Sequence, residues 1–262
     1  MSQPTDAPSS SLGPEPGPMA RLIGVFFSPA KTFASIARKP GWDWLVPVVL
    51  LMAASFVAQS VMLPKLDVDD AVKSQMKIVD KMSKGSIPED KRTEIENRTR
   101  TSIEAGKTPV RRMLNTLFIF IPILLVPLIY HGLAAAFNAK TTYLKVLSGY
   151  AYTWSIYLIP ILLSAVVAIP RATLDVSEIN FQRVLKSNVA AFLDFDTTSK
   201  VLLAVLSSVD IFDIWAFFVG SIALSKTTRL SSSSAKYVVG GVWLAYILLK
   251  VCLGAMYSAF MG

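Results

Sequence analysis

The sequence predicts an all-α integral membrane protein: a bundle of five transmembrane helices with an amphipathic N-terminal segment and a helical polar loop between helices 1 and 2. Three observations carry that prediction. Of 262 residues, 53% are apolar and only 17% charged, whereas soluble domains carry about 25% charged residues. Mean hydropathy is +0.50. Five segments of about 20 apolar residues are each long enough to cross a hydrocarbon core. Backbone polar groups in lipid must be satisfied within the segment, so each one is a helix despite its Val and Ile content.

In chain order, residues 1–18 hold Pro4, Pro8, Pro14, Pro16 and Pro18 with Ser9 to Ser11 between them, and read as a disordered tail. The tail lacks the charged and apolar regions of a secretory signal, so no cleavage is expected and the first span acts as its own insertion signal. Residues 19–43 form an amphipathic juxtamembrane segment. Ser28 and Pro29 are an N-cap and N1 pair that starts a new helix. Leu22, Phe26, Phe33 and Ile36 oppose Arg21, Lys31, Arg38 and Lys39, a pattern for a membrane-surface segment with apolar side chains among the headgroups and positive charge toward anionic lipid. The same pattern also suits a simple anchor for the first span.

The membrane domain, 44–262, has spans at about 44–64, 113–137, 146–169, 201–225 and 237–260. Pro47, Pro122, Pro127 and Pro160 fall inside them and kink the helices, which serves packing or shapes a cavity. Loop 65–112 has 12 basic and 9 acidic residues, too polar for lipid. Val68, Val72, Met76 and Val79 recur at helical spacing, and Gly85-Ser86-Ile87-Pro88 stops that helix and starts a second, folded against it. Val176, Ile179, Leu185, Val189 and Phe192 give a further amphipathic stretch suited to the membrane surface.

The short connections bearing Lys140 and Lys145, and Lys226, Arg229 and Lys236, contain no acid. They favour a cytoplasmic membrane location with the N-terminus inside and the C-terminus outside. The basic residues of the 48-residue loop, Arg111 and Arg112 among them, pull the other way.

Two acids lie within the fourth span. On one helix Asp210 and Asp213 share a stripe with Ser207, Phe217 and Gly220 that should face the bundle interior, because a charge at the membrane centre is costly. Lys250, in the antiparallel fifth span, falls between them in depth. An intramembrane Asp210, Asp213 and Lys250 cluster is expected, either to fix helix register or to act as a proton- or ion-responsive site. Tyr150, Thr153, Tyr157, Pro160 and Ser164 form a polar stripe on the third span. With Gln59 and Ser207, residues Tyr150, Thr153 and Tyr157 are candidates to line a cavity. Their alternative role is interhelical hydrogen bonding and, for Tyr150, an interfacial aromatic belt.

Enzyme chemistry finds little support. The single cysteine, Cys252, and the single histidine, His131, exclude an intramolecular disulfide, a cysteine-ligated zinc or iron–sulfur site and a multi-histidine metal centre. His131 reads as a snorkelling or hydrogen-bonded group. Asp67, Asp69 and Asp70, and Asp194 with Asp196, read as helix caps or solvated acids rather than a cation site. No glycine-rich phosphate loop occurs, and no cofactor, metal or nucleic-acid partner is expected. The net charge of +8 reflects membrane orientation.

The ordered series Pro29, Phe33, Ile36, Pro40, Trp44 and Pro47, the run Asp210-Ile-Phe-Asp213-Ile-Trp215 and five helices in this order together resemble prokaryotic members of the Yip family, named for Ypt/Rab-GTPase-interacting proteins, over about residues 20 to 260. The resemblance implies an integral membrane protein with a cytosolic N-terminus. From eukaryotic relatives it also implies a role in organising trafficking membranes by binding small GTPases and reticulon-like partners. The tail here is short and has no recognisable GTPase-binding motif, so that role is not carried over. The resulting expectation is a non-enzymatic scaffold or adaptor in the lipid bilayer that binds a membrane or cytosolic protein, or a second copy of itself. The alternative is a small proton- or ion-coupled transporter or channel subunit.

Overall fold

A computed structural model describes residues 15–83, 86–175, 181–194 and 197–261. Thirteen α-helices are described among them: α1 (Pro18–Phe27), α2 (Pro29–Arg38), α3 (Leu45–Met62), α4 (Val68–Met82), α5 (Glu89–Gly106), α6 (Pro109–Leu117), α7 (Phe120–Ala136), α8 (Tyr143–Trp154), α9 (Leu158–Ala168), α10 (Phe181–Val184), α11 (Lys200–Leu206), α12 (Ile211–Thr228) and α13 (Ser232–Met261). Two isolated bridges are the β pairing among the described residues. Five helical stretches are long and apolar enough to cross a membrane: Trp42–Lys65, Pro109–Ala136, Tyr143–Ala168, Ile211–Thr228 and Ser232–Leu253. The fold is that of an all-α, multi-pass membrane protein.

Prolines mark where the spans are jointed. Pro47, Pro122 and Pro160 are each the third residue of α3, α7 and α9, where a backbone N–H has no intrahelical acceptor to lose. Pro127 alone of the four lies inside a helix. The third span is therefore α8, a 3-10 turn at Ser155–Tyr157, and α9.

The fourth span departs from the sequence reading. It is not one helix over 201–225. Helix α11 ends at Leu206, and α12 begins afresh at Ile211. Ser207 and Ser208 donate to the Ala204 carbonyl at 3.2 and 2.6 Å, and Asp210 caps α12 by accepting from the Phe212 N–H at 2.8 Å. Three short polar side chains competing for backbone groups end one helix and start the next.

The N-terminal segment also differs. Helices α1 and α2 form a tight hairpin seated on the bundle. Leu22, Val25, Phe33 and Ile36 are buried in one cluster with Tyr152, Ile156, Val219 and Ala223, so this face meets protein, not headgroups. Arg21, expected at the surface, is buried against Asp43, with which it forms an ion pair. Phe26 stacks edge-on against Trp215 at 5.6 Å. Lys31, Arg38 and Lys39 are exposed. Gly24 allows the close approach, since a Cβ there would lie 2.3 Å from Thr32 Oγ1. Glu15, assigned to the tail, is bonded to Ser35 at 2.6 Å and to Arg38 at 2.7 Å.

The polar loop folds as α4 against α5, tied by Arg92 to Asp80 at 2.6 Å and Arg100 to Asp69 at 2.6 Å. Gly85 lies outside the described residues. Between spans three and four, Val176 and Ile179 also lie outside them. The described part holds the short helix α10 and a 3-10 turn, Val189–Phe192. Lys65 donates to the carbonyls of Ile169 and Arg171, both at 2.6 Å, closing the exposed end of α9. At the opposite end Thr141 donates to the Thr227 carbonyl at 2.7 Å. That contact puts the 2–3 and 4–5 connections together.

Candidate functional site

A cavity of about 830 Å³ lies between α3, α7, α8, α12 and α13, within the size range of small-molecule sites. Four elements supply its polar end. Asp213, in the first turn of α12, accepts from the Tyr157 hydroxyl at 2.7 Å and from the Gln182 amide at 3.3 Å. Tyr157 reaches it because the 3-10 turn at 155–157 rotates the third span between α8 and α9. Lys250, on α13, donates to Ser207 at 3.2 Å and lies 5.5 Å from the centre of the Tyr246 ring.

The expected three-residue cluster is thus divided. Asp213, Lys250 and Ser207 line the cavity. Asp210 does not. It is fully buried, where it caps α12 and accepts from the Ser187 hydroxyl, so its carboxylate is held by the helix break. Among the described residues no ion pair joins Lys250 to either aspartate. Broken at 207–210, the fourth span lifts Ser207 toward Lys250 and turns Asp213 toward Tyr157, whereas a continuous helix would have stacked the acids on one stripe.

Of the other cavity candidates, Tyr150, Thr153 and Tyr157 line it. Gln59 stands apart, donating to Thr116 at 3.3 Å on the second span. Aromatic rings wall one side: Tyr130, Tyr150, Trp154 and Tyr157 pack in succession with centroids 5.9, 5.7 and 5.5 Å apart. The remaining lining is largely apolar, with Leu51, Val126, Val146, Leu224 and Val239 among it. His131 packs edge-on to Tyr143 at 6.4 Å, away from this lining.

Sequence reasoning missed Gln182, Trp243 and Tyr246. Gln182 sits in the segment assigned to the membrane surface, and nothing in its spacing points inward. Trp243 and Tyr246 precede Lys250 by seven and four residues, one face of a helix, which was a legible signal. Of the other acidic candidates, Asp67 accepts from the Asp70 N–H at 3.0 Å, Asp69 pairs with Arg100, and Asp194 accepts from the Thr197 N–H at 3.0 Å. Asp196 lies outside the described residues. Among the described residues no group of three or more His, Cys, Asp or Glu side chains is placed to hold a metal ion.

A separated carboxylate and ammonium at one end of an aromatic and apolar cavity can bind a polar group of either sign or both. No curated protein and no solved structure matches the chain significantly. The family model of the Yip1 domain matches residues 23–253, which takes in all five spans, the hairpin from Ile23 onward and every cavity residue named above. The chain is a member of the Yip1 domain family.

Proposed function

We propose that the protein is a non-enzymatic scaffold of the cytoplasmic membrane, N-terminus inside and C-terminus outside, that engages a partner protein through the α1–α2 hairpin. The observation that carries this reading is the division of α1 into two faces. Its inner face is fixed by Leu22, Val25 and the Arg21–Asp43 pair. Its outer face presents Met19, Ile23 and Phe27 at 56, 58 and 85% exposure. Residues four apart on a rigid helix form one ridge, the pattern with which a helix docks into an apolar groove. The acid-free 2–3 and 4–5 connections support the orientation.

The test is a photo-crosslinking amino acid at Ile23, compared with one at Leu163, a lipid-facing residue of the third span that is also exposed. The expected result is a discrete protein adduct from Ile23 alone, lost when Met19 and Phe27 are both changed to Ser. The adduct partner is another protein or a second copy of this chain. Lipid adducts alone at both positions would overturn the reading. Removing residues 1–39 is not a clean test, because it deletes Phe33 and Ile36 from the core.

A second reading, a small proton- or ion-coupled transporter, is favoured by one observation: Asp213 faces the cavity held by Tyr157 and Gln182 and is not neutralised by an ion pair with Lys250. Proton-linked flux in proteoliposomes that disappears in Asp213→Asn supports it, and wild-type vesicles without flux remove it.

A further inference from the structure

We infer that the cavity binds a single amphiphile with a zwitterionic head, its primary ammonium on Asp213 and its phosphate on Lys250, and its chain laid along the apolar lining. This goes beyond the scaffold reading and does not depend on it.

Three features select that occupant. The first is position. Asp213 stands about 22 Å along α12 from Thr228, Lys250 about 27 Å along α13 from Ser232, and Tyr157 about 21 Å along the third span from Tyr143, at 1.5 Å per residue. Since the Thr141–Thr227 contact brings those starting points together, the polar groups gather toward the other end of the bundle. Val146, Leu224 and Val239 line the cavity near the starting end. An elongated space, polar at one end and apolar along its length, matches a head and a chain.

The second is the hydrogen-bond inventory. The Asp213 carboxylate accepts one bond at each oxygen and has room for further donors, which a primary ammonium supplies. The Lys250 ammonium gives one bond to Ser207 and has N–H groups left for an oxyanion.

The third is charge separation. An anionic head would satisfy Lys250 and be repelled by Asp213, and a cationic one the reverse. Only a head with both charges is matched at both walls, and mismatch is what gives discrimination.

The shared chemistry is aminophosphate, available from a phospholipid or from a free zwitterion in water. Native mass spectrometry of the delipidated full-length chain separates them, with dimyristoyl phosphatidylethanolamine, dimyristoyl phosphatidylglycerol and free phosphoethanolamine as probes. The expected result is one phosphatidylethanolamine per chain, bound about tenfold more tightly than phosphatidylglycerol, a difference of about 1.4 kcal/mol. Asp213→Asn should erase that preference, whereas Lys250→Met, which removes the partner of the phosphate common to both lipids, should weaken both about tenfold. Val242→Trp, which narrows the cavity without touching either charge, should release the lipid altogether.

Equal binding of the two lipids by the wild type, or an unchanged affinity for phosphatidylethanolamine in Lys250→Met, overturns the proposal. Displacement of the lipid by equimolar phosphoethanolamine also overturns it, by showing that the head alone is recognised. If Asp213→Asn fails to fold, Lys250→Met decides, because Lys250 is half-buried and its hydrogen bond is to one serine hydroxyl.

Discussion

At the residue scale the most consequential interaction is the buried pair of Arg21 and Asp43. Arg21 also donates to the Lys39 carbonyl at 3.3 Å, and the Tyr152 hydroxyl lies 3.4 Å from the Asp43 carboxylate. One contact therefore joins α1, the end of α2, the start of the first span and the third span. Removing one partner leaves a buried charge without its counter-ion, a loss of about 3–5 kcal/mol. Asp43→Ala should lower stability by that order in a denaturant titration of the purified protein, while the apolar pair Arg21→Met with Asp43→Leu should recover most of it. A double variant as weak as Asp43→Ala would show that the pair does more than neutralise itself. Glu15 makes the contrasting, exposed tie. Its bonds to Arg38 and Ser35 hold its carboxyl down to about 2. A depressed value means the tie is complete above the ordinary glutamate range and is released as pH falls from there through about 2. A carbon-13 titration of the Glu15 carboxyl should show that low midpoint, and an ordinary midpoint would mean the tie does not persist in solution.

At the scale of elements, joints matter more than spans. The existence of each span was readable because about 20 apolar residues admit few other structures in lipid. The joint at 207–210 was not, because Ser207 and Ser208 are tolerated in a continuous membrane helix and only their bonds to Ala204, with the Asp210 cap, reveal the break. A period-3.6 reading therefore put both aspartates on one stripe. In the same way Phe33 and Ile36 were correctly read as one apolar face, but amphipathicity does not say whether that face meets lipid or protein. The break makes a direct prediction. Asp210→Ala should cost about 0.5–2 kcal/mol as a lost cap, with a further penalty from the lost bond to the Ser187 hydroxyl, whereas Asp213→Asn should leave stability nearly unchanged. Thermal denaturation of the two variants compares them; equal losses would mean that Asp213 is also structural. The hairpin has its own joint at Gly24. Gly24→Ala places a methyl against Thr32 Oγ1, and such overpacking costs about 1–3 kcal/mol. Thr32→Ala should relieve most of it, and additive losses would put the strain elsewhere.

For the whole molecule, the decisive question is how deep the hairpin goes. Each of its helices is about 15 Å long, half the hydrocarbon thickness of about 30 Å, so neither can cross it, and a hairpin that enters must return on the same side. Its tip is at Ser28. Phe26, two residues before the tip, packs on Trp215, about 20 Å along α12 from Thr228. A non-helical turn at that depth is permitted only if its backbone groups are satisfied, and they are: the Ser28 N–H donates to the Gly24 carbonyl at 2.8 Å, and its own carbonyl accepts from Thr32 at 3.1 Å. Cysteine accessibility tests this arrangement in a Cys252→Ser background. Cysteines at Lys39 and Ser231, both exposed, should react with a membrane-impermeant maleimide from one side, and a cysteine at Glu94 on α5 should react from the other. A cysteine at Ser28, exposed on the protein but embedded in lipid, should resist the impermeant reagent from both sides and react with a permeant one. Rapid labelling of Ser28→Cys by the impermeant reagent would mean that the hairpin rides on the surface, and the outer ridge of α1 would then face water, where a soluble rather than a membrane partner would have to cover it.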